Sequence, residues 1–154
     1  MDLSDLIEVS AVMPALKANS KKQLLQLLAE KAAAVTGLPE REVFDTILQR
    51  ERLGSTGVGN GIAIPHGKLP GIGEITGVFA RLDTPVDFEA LDDQPVDLVF
   101  LLLAPESAGA DHLKALSRIA RVLRDPETVS KIRGSNDATA IYTFLAQTPA
   151  SHAA

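Results

Sequence analysis

A three-layer α/β/α sandwich around a single mixed β-sheet is the α/β fold that this sequence predicts. Three observations carry it. Helical periodicity fills the first third of the chain and returns in the last third, with strand-forming segments between them. Within that middle, the run LVFLLLA at 98–104 is apolar at every position, as expected of a strand covered on both faces. The 154 residues contain no repeat, low-complexity linker or second compositional region. One domain over residues 1–150 is therefore expected, with the tail 151–154, the end of TPASHAA, disordered.

The elements follow in order. Ser20, with Gln23 three residues on, makes a capping-box signature that starts the first helix. Leu24, Leu25, Leu28 and Ala32 continue at helical spacing, and Gly37 ends it. Pro39 opens a second helix, with Glu40 and Glu42 in the first turn, where the positive helix end favours carboxylates. Val43, Phe44, Ile47 and Leu48 give it a buried face, and Gly54 closes it. The chain then changes character. Ile62 and Ile64 flank Ala63 before Pro65, and segments 76–82 and 97–104 are rich in β-formers. Helical spacing returns with Leu113, Leu116, Ala120 and Leu123. Asp125-Pro126 reads as a cap plus a first-turn proline, and 137–147 as a last amphipathic helix.

Composition narrows the function. Apolar residues are 45 % and charged residues 23 %, the balance of an ordinary globular domain. Fifteen basic against twenty acidic residues leave a net charge of −5, which gives no electrostatic basis for general nucleic-acid binding. Cysteine is absent, so disulfides and thiolate chemistry are excluded, in keeping with a reducing cytoplasm. The N-terminal MDLSDLIEVS has neither a basic nor an apolar leader region, and no apolar run approaches the roughly 20 residues of a membrane span. Aromatic residues are only 4 %, with no tryptophan, which disfavours stacking platforms for bases or sugars.

The chemistry concentrates in GSTGVGNGIAIPHGK at 54–68. A P-loop would need Ser or Thr after its Gly-Lys pair, and Gly67-Lys68 is followed by Leu69. A dinucleotide fingerprint beginning at Gly57 and Gly59 would need glycine at 62, where Ile62 stands, and the loop runs from helix to strand, the reverse of that motif. Two readings remain open on the residues alone. In one, the glycines are a helix stop and a β-bulge, and His66 is an ordinary turn histidine. In the other, His66 is a nucleophile, exposed between Pro65 and Gly67 at a strand end. An imidazole can attack phosphorus without a separate activating base. The phosphoryl group it gained would carry about two negative charges. Ser55, Thr56, Asn60 and nearby backbone N–H groups could then serve as donors.

His112, in GADHLKALSRIA, falls in the first turn of a helix, where it should stay neutral or donate to an anion; a surface histidine is the plain alternative. Arg50 precedes the loop, and its planar fork suits phosphate oxygens, although a cation there also complements a helix C-terminus, and Arg52 competes for the role. The remaining histidine, His152, lies in the tail, and no metal-ligand spacing occurs.

At these residues the chain resembles the fructose/mannitol-type enzyme IIA domains (EIIA type 2) of the bacterial phosphoenolpyruvate-dependent phosphotransferase system. Within that family it is most similar to the nitrogen-regulatory branch. LGSTGVGNGIAIPHGKL at 53–69, FEALDDQPVDLVFLLLAP at 88–105 and HLKALSRIARVL at 112–123 carry the resemblance, which covers nearly the whole chain. It implies a cytoplasmic, mainly regulatory phosphotransferase that works through a phosphohistidine. His66 matches the residue phosphorylated by an HPr-like protein, with the ε nitrogen as acceptor. His112 matches the second active-site histidine, and Arg50 the supporting arginine of R-x-x-x-G-S-T. The loop residues Ser55, Thr56, Gly57, Asn60 and Gly61 would surround the phosphate, and apolar residues about the loop would dock the partner. The resemblance implies no cofactor, metal, nucleic acid or membrane insertion. Its partners would be the donor and regulated targets such as ion transporters or sensor kinases. The alternatives are a sugar-specific enzyme IIA that passes phosphate to a IIB component of a permease, and a binding domain that keeps the fold without phosphorylation. No fused IIB or membrane segment occurs, which favours the regulatory carrier, and the intact His66, His112 and Arg50 set disfavours the binding domain.

Overall fold

The computed structural model describes residues 2–147, so the expected tail and His152 lie outside the described residues. Two short 3-10 turns, Leu3–Asp5 and Val9–Ala11, lead into β1 (Val12–Leu16). The helices α1 (Lys21–Thr36) and α2 (Glu40–Arg52) follow, then the short strands β2 (Gly57–Gly59), β3 (Ile62–Ala63) and β4 (His66–Leu69). Two long strands, β5 (Thr76–Val86) and β6 (Val96–Pro105), precede α3 (Ala110–Arg124), α4 (Pro126–Arg133) and α5 (Ala138–Ala146).

The six strands form one mixed sheet in the order β1-β5-β6-β3-β2, with β4 also paired to β6. β5 runs antiparallel to β6, whereas β1 is parallel to β5, and β3 and β4 are parallel to β6. Leu98 to Ala104 are all fully buried at the centre, so the apolar run is covered on both faces. Helices lie on both sides, as the predicted sandwich requires. The layers can be told apart at β4. Gly67 points at α2, where an added Cβ would lie 2.8 Å from Thr46 Cγ2, and the ring of His66 meets His112 of α3 on the opposite side.

The predicted helix ends hold. Ser20 Oγ accepts the Gln23 N–H at 3.1 Å, a cap contributing about 1 kcal/mol. The Gln23 side chain reaches back one residue further than in a standard capping box, accepting from the Asn19 N–H at 2.6 Å. Gly37 takes the left-handed conformation with φ +79° and donates its N–H to Ala33 O at 2.8 Å.

Two features depart from the sequence expectation. β1 was not anticipated, because Pro14 interrupts VMPAL and the segment is short. At the sheet edge a strand can lack one donor, and β1 pairs only with β5. In α3 the buried face is Ala115, Ile119, Val122 and Leu123, together with His112, whereas Leu113 is 67 % exposed. The leucine stripe predicts a face rotated by one residue from the one that meets the sheet. His112 thus occupies an inward position.

Candidate functional site

The edge of the sheet beside β6 is made of two short strands in succession. Ile62 pairs with Leu98, and after an interruption at Ile64-Pro65 the chain resumes with His66 opposite Leu102. Across the interruption the chain still bonds to β6, since Pro65 O accepts the Leu102 N–H at 2.9 Å. It also turns the His66 ring back over the chain. Nδ1 lies 2.9 Å from Ile64 O. A carbonyl oxygen only accepts, so Nδ1 carries the proton, and the lone pair of the neutral ring is left on Nε2. The side chain is partly exposed, at the first position of β4. A strand end, a bare ring nitrogen and access to solvent are what an attacking imidazole needs.

His112 stands against it. The two ring centroids are 5.6 Å apart, at an interplanar angle of 58°. His112 is only 7 % exposed, and its Nδ1 is buried without a hydrogen-bond partner among the described residues. Burial, and then the charges of His66 and Lys68, hold its pKa below the ordinary value of 6.5. The neutral ring is therefore favoured, and a surface role is excluded by position. Lys68, two residues beyond His66, was not picked out from the sequence; only the alternation of β4 puts it on the His66 side.

Arg50 lies one turn beyond Thr46 on α2, in the layer behind β4. Its Nη1 donates to Gly54 O at 2.9 Å, which closes the end of the helix. Arg52 is exposed. Next to Arg50, Glu51 is buried and organises the start of the glycine loop. Its carboxylate accepts the Thr56 N–H at 3.1 and 3.2 Å and the Thr56 hydroxyl, and pairs with Lys21 Nζ at 3.0 Å. Lys21 also sits 4.5 Å over the Phe88 ring. Sequence reasoning missed this carboxylate, since nothing in the spacing marks it as buried.

The polar groups of the loop are engaged within the fold. The Ser55 hydroxyl donates to Phe88 O at 2.9 Å and accepts the Gly57 N–H at 3.1 Å, and Thr56 is held by Glu51. Asn60 and Gly61 lie at the other end of the edge. Gly61 O accepts from Asp97 N and Leu98 N, and His66 pairs at Leu102. Asp97 to Leu102 is about 16 Å of strand. There the Asn60 N–H goes to Asp92 Oδ2 at 3.0 Å and its carbonyl to Arg133 Nη2 at 2.6 Å. These amides hold the Asp92 carboxyl below its ordinary pKa, Asn60 first and then Gln94. Arg133 itself is paired with Asp97 at 2.9 Å. The glycines serve close packing: a Cβ on Gly57 would lie 2.7 Å from Ala90 Cβ, and one on Gly61 would lie 2.5 Å from Arg133 Nη2. The pairing of β2 with β3 shifts register between Gly57 and Gly59, so the helix-stop-and-bulge reading describes the loop's geometry.

Leu53, 85 % exposed, follows α2, and the exposed Leu113 follows His112, so apolar side chains stand next in sequence to the site residues. Among the described residues no group of three or more His, Asp or Glu side chains is arranged to hold a metal ion. No helix among them is long and apolar enough to cross a membrane.

Known proteins match the chain along nearly its whole length. A family model described as phosphoenolpyruvate-dependent sugar phosphotransferase system, EIIA 2, matches residues 5–148. A nitrogen regulatory protein of Bradyrhizobium diazoefficiens is 64 % identical over 153 residues, covering 99 % of this chain and 100 % of that protein. The nitrogen regulatory protein of Escherichia coli K12 is 40 % identical over 149 residues, covering 96 % of this chain and 91 % of that protein. Among solved structures, the crystal structure of nitrogen regulatory protein IIA-Ntr from Neisseria meningitidis superposes with a TM-score of 0.88 at 34 % identity, covering 93 % of this chain and 98 % of that one.

Proposed function

We propose, because this chain belongs to the EIIA 2 family of the phosphoenolpyruvate-dependent sugar phosphotransferase system, that it is a phosphocarrier accepting a phosphoryl group on Nε2 of His66. The observation that carries the reading is the 2.9 Å contact from Nδ1 to Ile64 O, which leaves Nε2 as the free nucleophile beside a buried second histidine. The donor is the phosphohistidine of an HPr-like protein. Its N–P bond breaks as the Nε2 lone pair forms a new one, and the donor imidazole leaves with its electron pair. Positioning and charge stabilisation dominate such a transfer. The neutral His112 offers an N–H to an equatorial oxygen. Arg50 reaches the group around the open edge of β4 with the guanidinium N–H groups not engaged by Gly54. Ser55, Thr56, Asn60 and Gly61 act on the shape of the scaffold and leave the phosphate to the histidines and cations.

Phosphorylation adds about two negative charges to this surface. Partner proteins that contact it through Leu53 and Leu113 then distinguish the two forms, and the carrier works as a signal in the nitrogen-regulatory branch. Support for that branch comes from the relatives at 64 % and 40 % identity, both nitrogen regulatory proteins.

Incubation with phosphoenolpyruvate, enzyme I and an HPr-type carrier, followed by mass-spectrometric mapping, is expected to place a single acid-labile phosphate on His66. Unchanged labelling of His66→Ala would overturn the assignment. Adding a fructose/mannitol-type IIB protein tests the branch: a regulatory carrier leaves it unlabelled, whereas fast transfer would make this a permease component.

A further inference from the structure

We infer that Lys68 is a second phosphate-binding cation of the site, closing on the phosphoryl group of phosphorylated His66 from the same face of the sheet. The inference rests on the reading of His66 as the acceptor. It comes from the alternation of β4. Gly67 faces α2, with its Cβ direction blocked by Thr46 Cγ2 at 2.8 Å. His66 and Lys68 therefore both project to the opposite face, which the start of α3 covers with His112. Residues two apart on a strand are about 6.6 Å apart along the chain. The four-carbon stem of lysine spans a similar distance, long enough for its ammonium to approach an oxygen bound to Nε2.

Lys68 is free to do so. It is exposed, and among the described residues it forms no ion pair, whereas Lys21, Arg81, Arg118, Lys131 and Arg133 are each paired with a carboxylate. It also stands near enough to the buried His112 for its charge to lower that ring's pKa, after burial and His66. Arg50 differs on both counts, since it approaches from the layer behind β4 and has one N–H engaged by Gly54 O. The charges also leave a place for a second cation. A phosphoryl group brings about two negative charges, and Arg50 balances one. Lys68 balances the other, and His112 need not take up a proton in its buried position.

The test reads the equilibrium constant for phosphoryl exchange between the HPr-type donor and this chain, from the fraction of each labelled when exchange is complete. Lys68→Met is expected to shift the equilibrium about tenfold toward the donor, and Lys68→Arg less than about threefold. That constant does not depend on how tightly the donor docks, so a lysine that only steers the donor would slow labelling and leave the constant unchanged. Lys68 is solvent-exposed, so both variants are expected to keep the fold, and Lys68→Gln repeats the test with a polar side chain. An unchanged constant in Lys68→Met and Lys68→Gln overturns the role of Lys68 while His66 remains the acceptor. Failure of the wild-type chain to take up phosphate overturns both readings at once.

Discussion

Glu51→Ala removes the carboxylate on which the start of the glycine loop hangs, and its cost can be worked from the contacts. The side chain is 2 % exposed and accepts both the N–H and the hydroxyl of Thr56, which is itself buried. Leaving the Thr56 N–H unsatisfied costs about 1–3 kcal/mol. The hydroxyl can rotate to another acceptor and adds less. Lys21 loses its partner at 3.0 Å, but it is 17 % exposed, keeps Glu89 at 3.7 Å and rests on Phe88, so its share is about 1 kcal/mol or less. Together the expected loss is about 2–4 kcal/mol, reaching at its upper end what breaking a buried ion pair costs. Urea unfolding followed by circular dichroism measures it, with Glu51→Gln expected to lose about 2 kcal/mol because one acceptor survives. Glu51→Ala combined with Lys21→Met should cost less than the sum of the two singles, since both remove the same pair. A loss below about 1 kcal/mol, or strict additivity, would refute the view that this carboxylate anchors the loop.

His112→Gln tests the buried histidine through pH. Its pKa is lowered in the folded state, so stability tied to the neutral ring is complete above the ordinary value of 6.5 and is lost as pH falls through the lower, folded value. Between about pH 7.5 and pH 5 the wild-type chain should lose more stability than His112→Gln, and equal slopes in urea titrations would count against its burial. Gly61→Ala, at φ +80° and with a Cβ 2.5 Å from Arg133 Nη2, should cost about 2–3 kcal/mol yet leave phosphate uptake per folded molecule unchanged. A selective loss of uptake would return Gly61 to the phosphate site. Ser20→Ala should lower stability by about 1 kcal/mol through loss of the α1 cap, measurable as a shift in urea midpoint.

Much of the scaffold was legible because it depends on local chemistry. Ser20 and Gly37 bracket α1 through hydrogen bonds and a left-handed turn that involve only neighbours in sequence. The run at 98–104 has the pattern of a doubly covered strand, and so the sheet had a centre before its other strands were known. The short pieces β1, β2 and β4 were not legible. A proline or a few glycines carry no periodicity, and each forms a strand only because β5, β3 or β6 supplies its partner. The same limit appears in α3, where two apolar stripes compete and the sheet, not the helix, selects the one that includes His112.

The sequence by itself determined the layers and the helix ends, and set His66 between Pro65 and Gly67 in a stretch whose spacing excludes a nucleotide loop. Tertiary structure decided which groups stand with that histidine. It drew in His112 from α3 and Lys68 from alternation along β4, left Arg50 in the layer behind, and carried Asn60 and Gly61 about 16 Å away along the sheet edge. The physical reason is that an extended strand moves neighbours in sequence apart by more than 3 Å per residue, whereas packing of a helix on a sheet brings distant residues into contact.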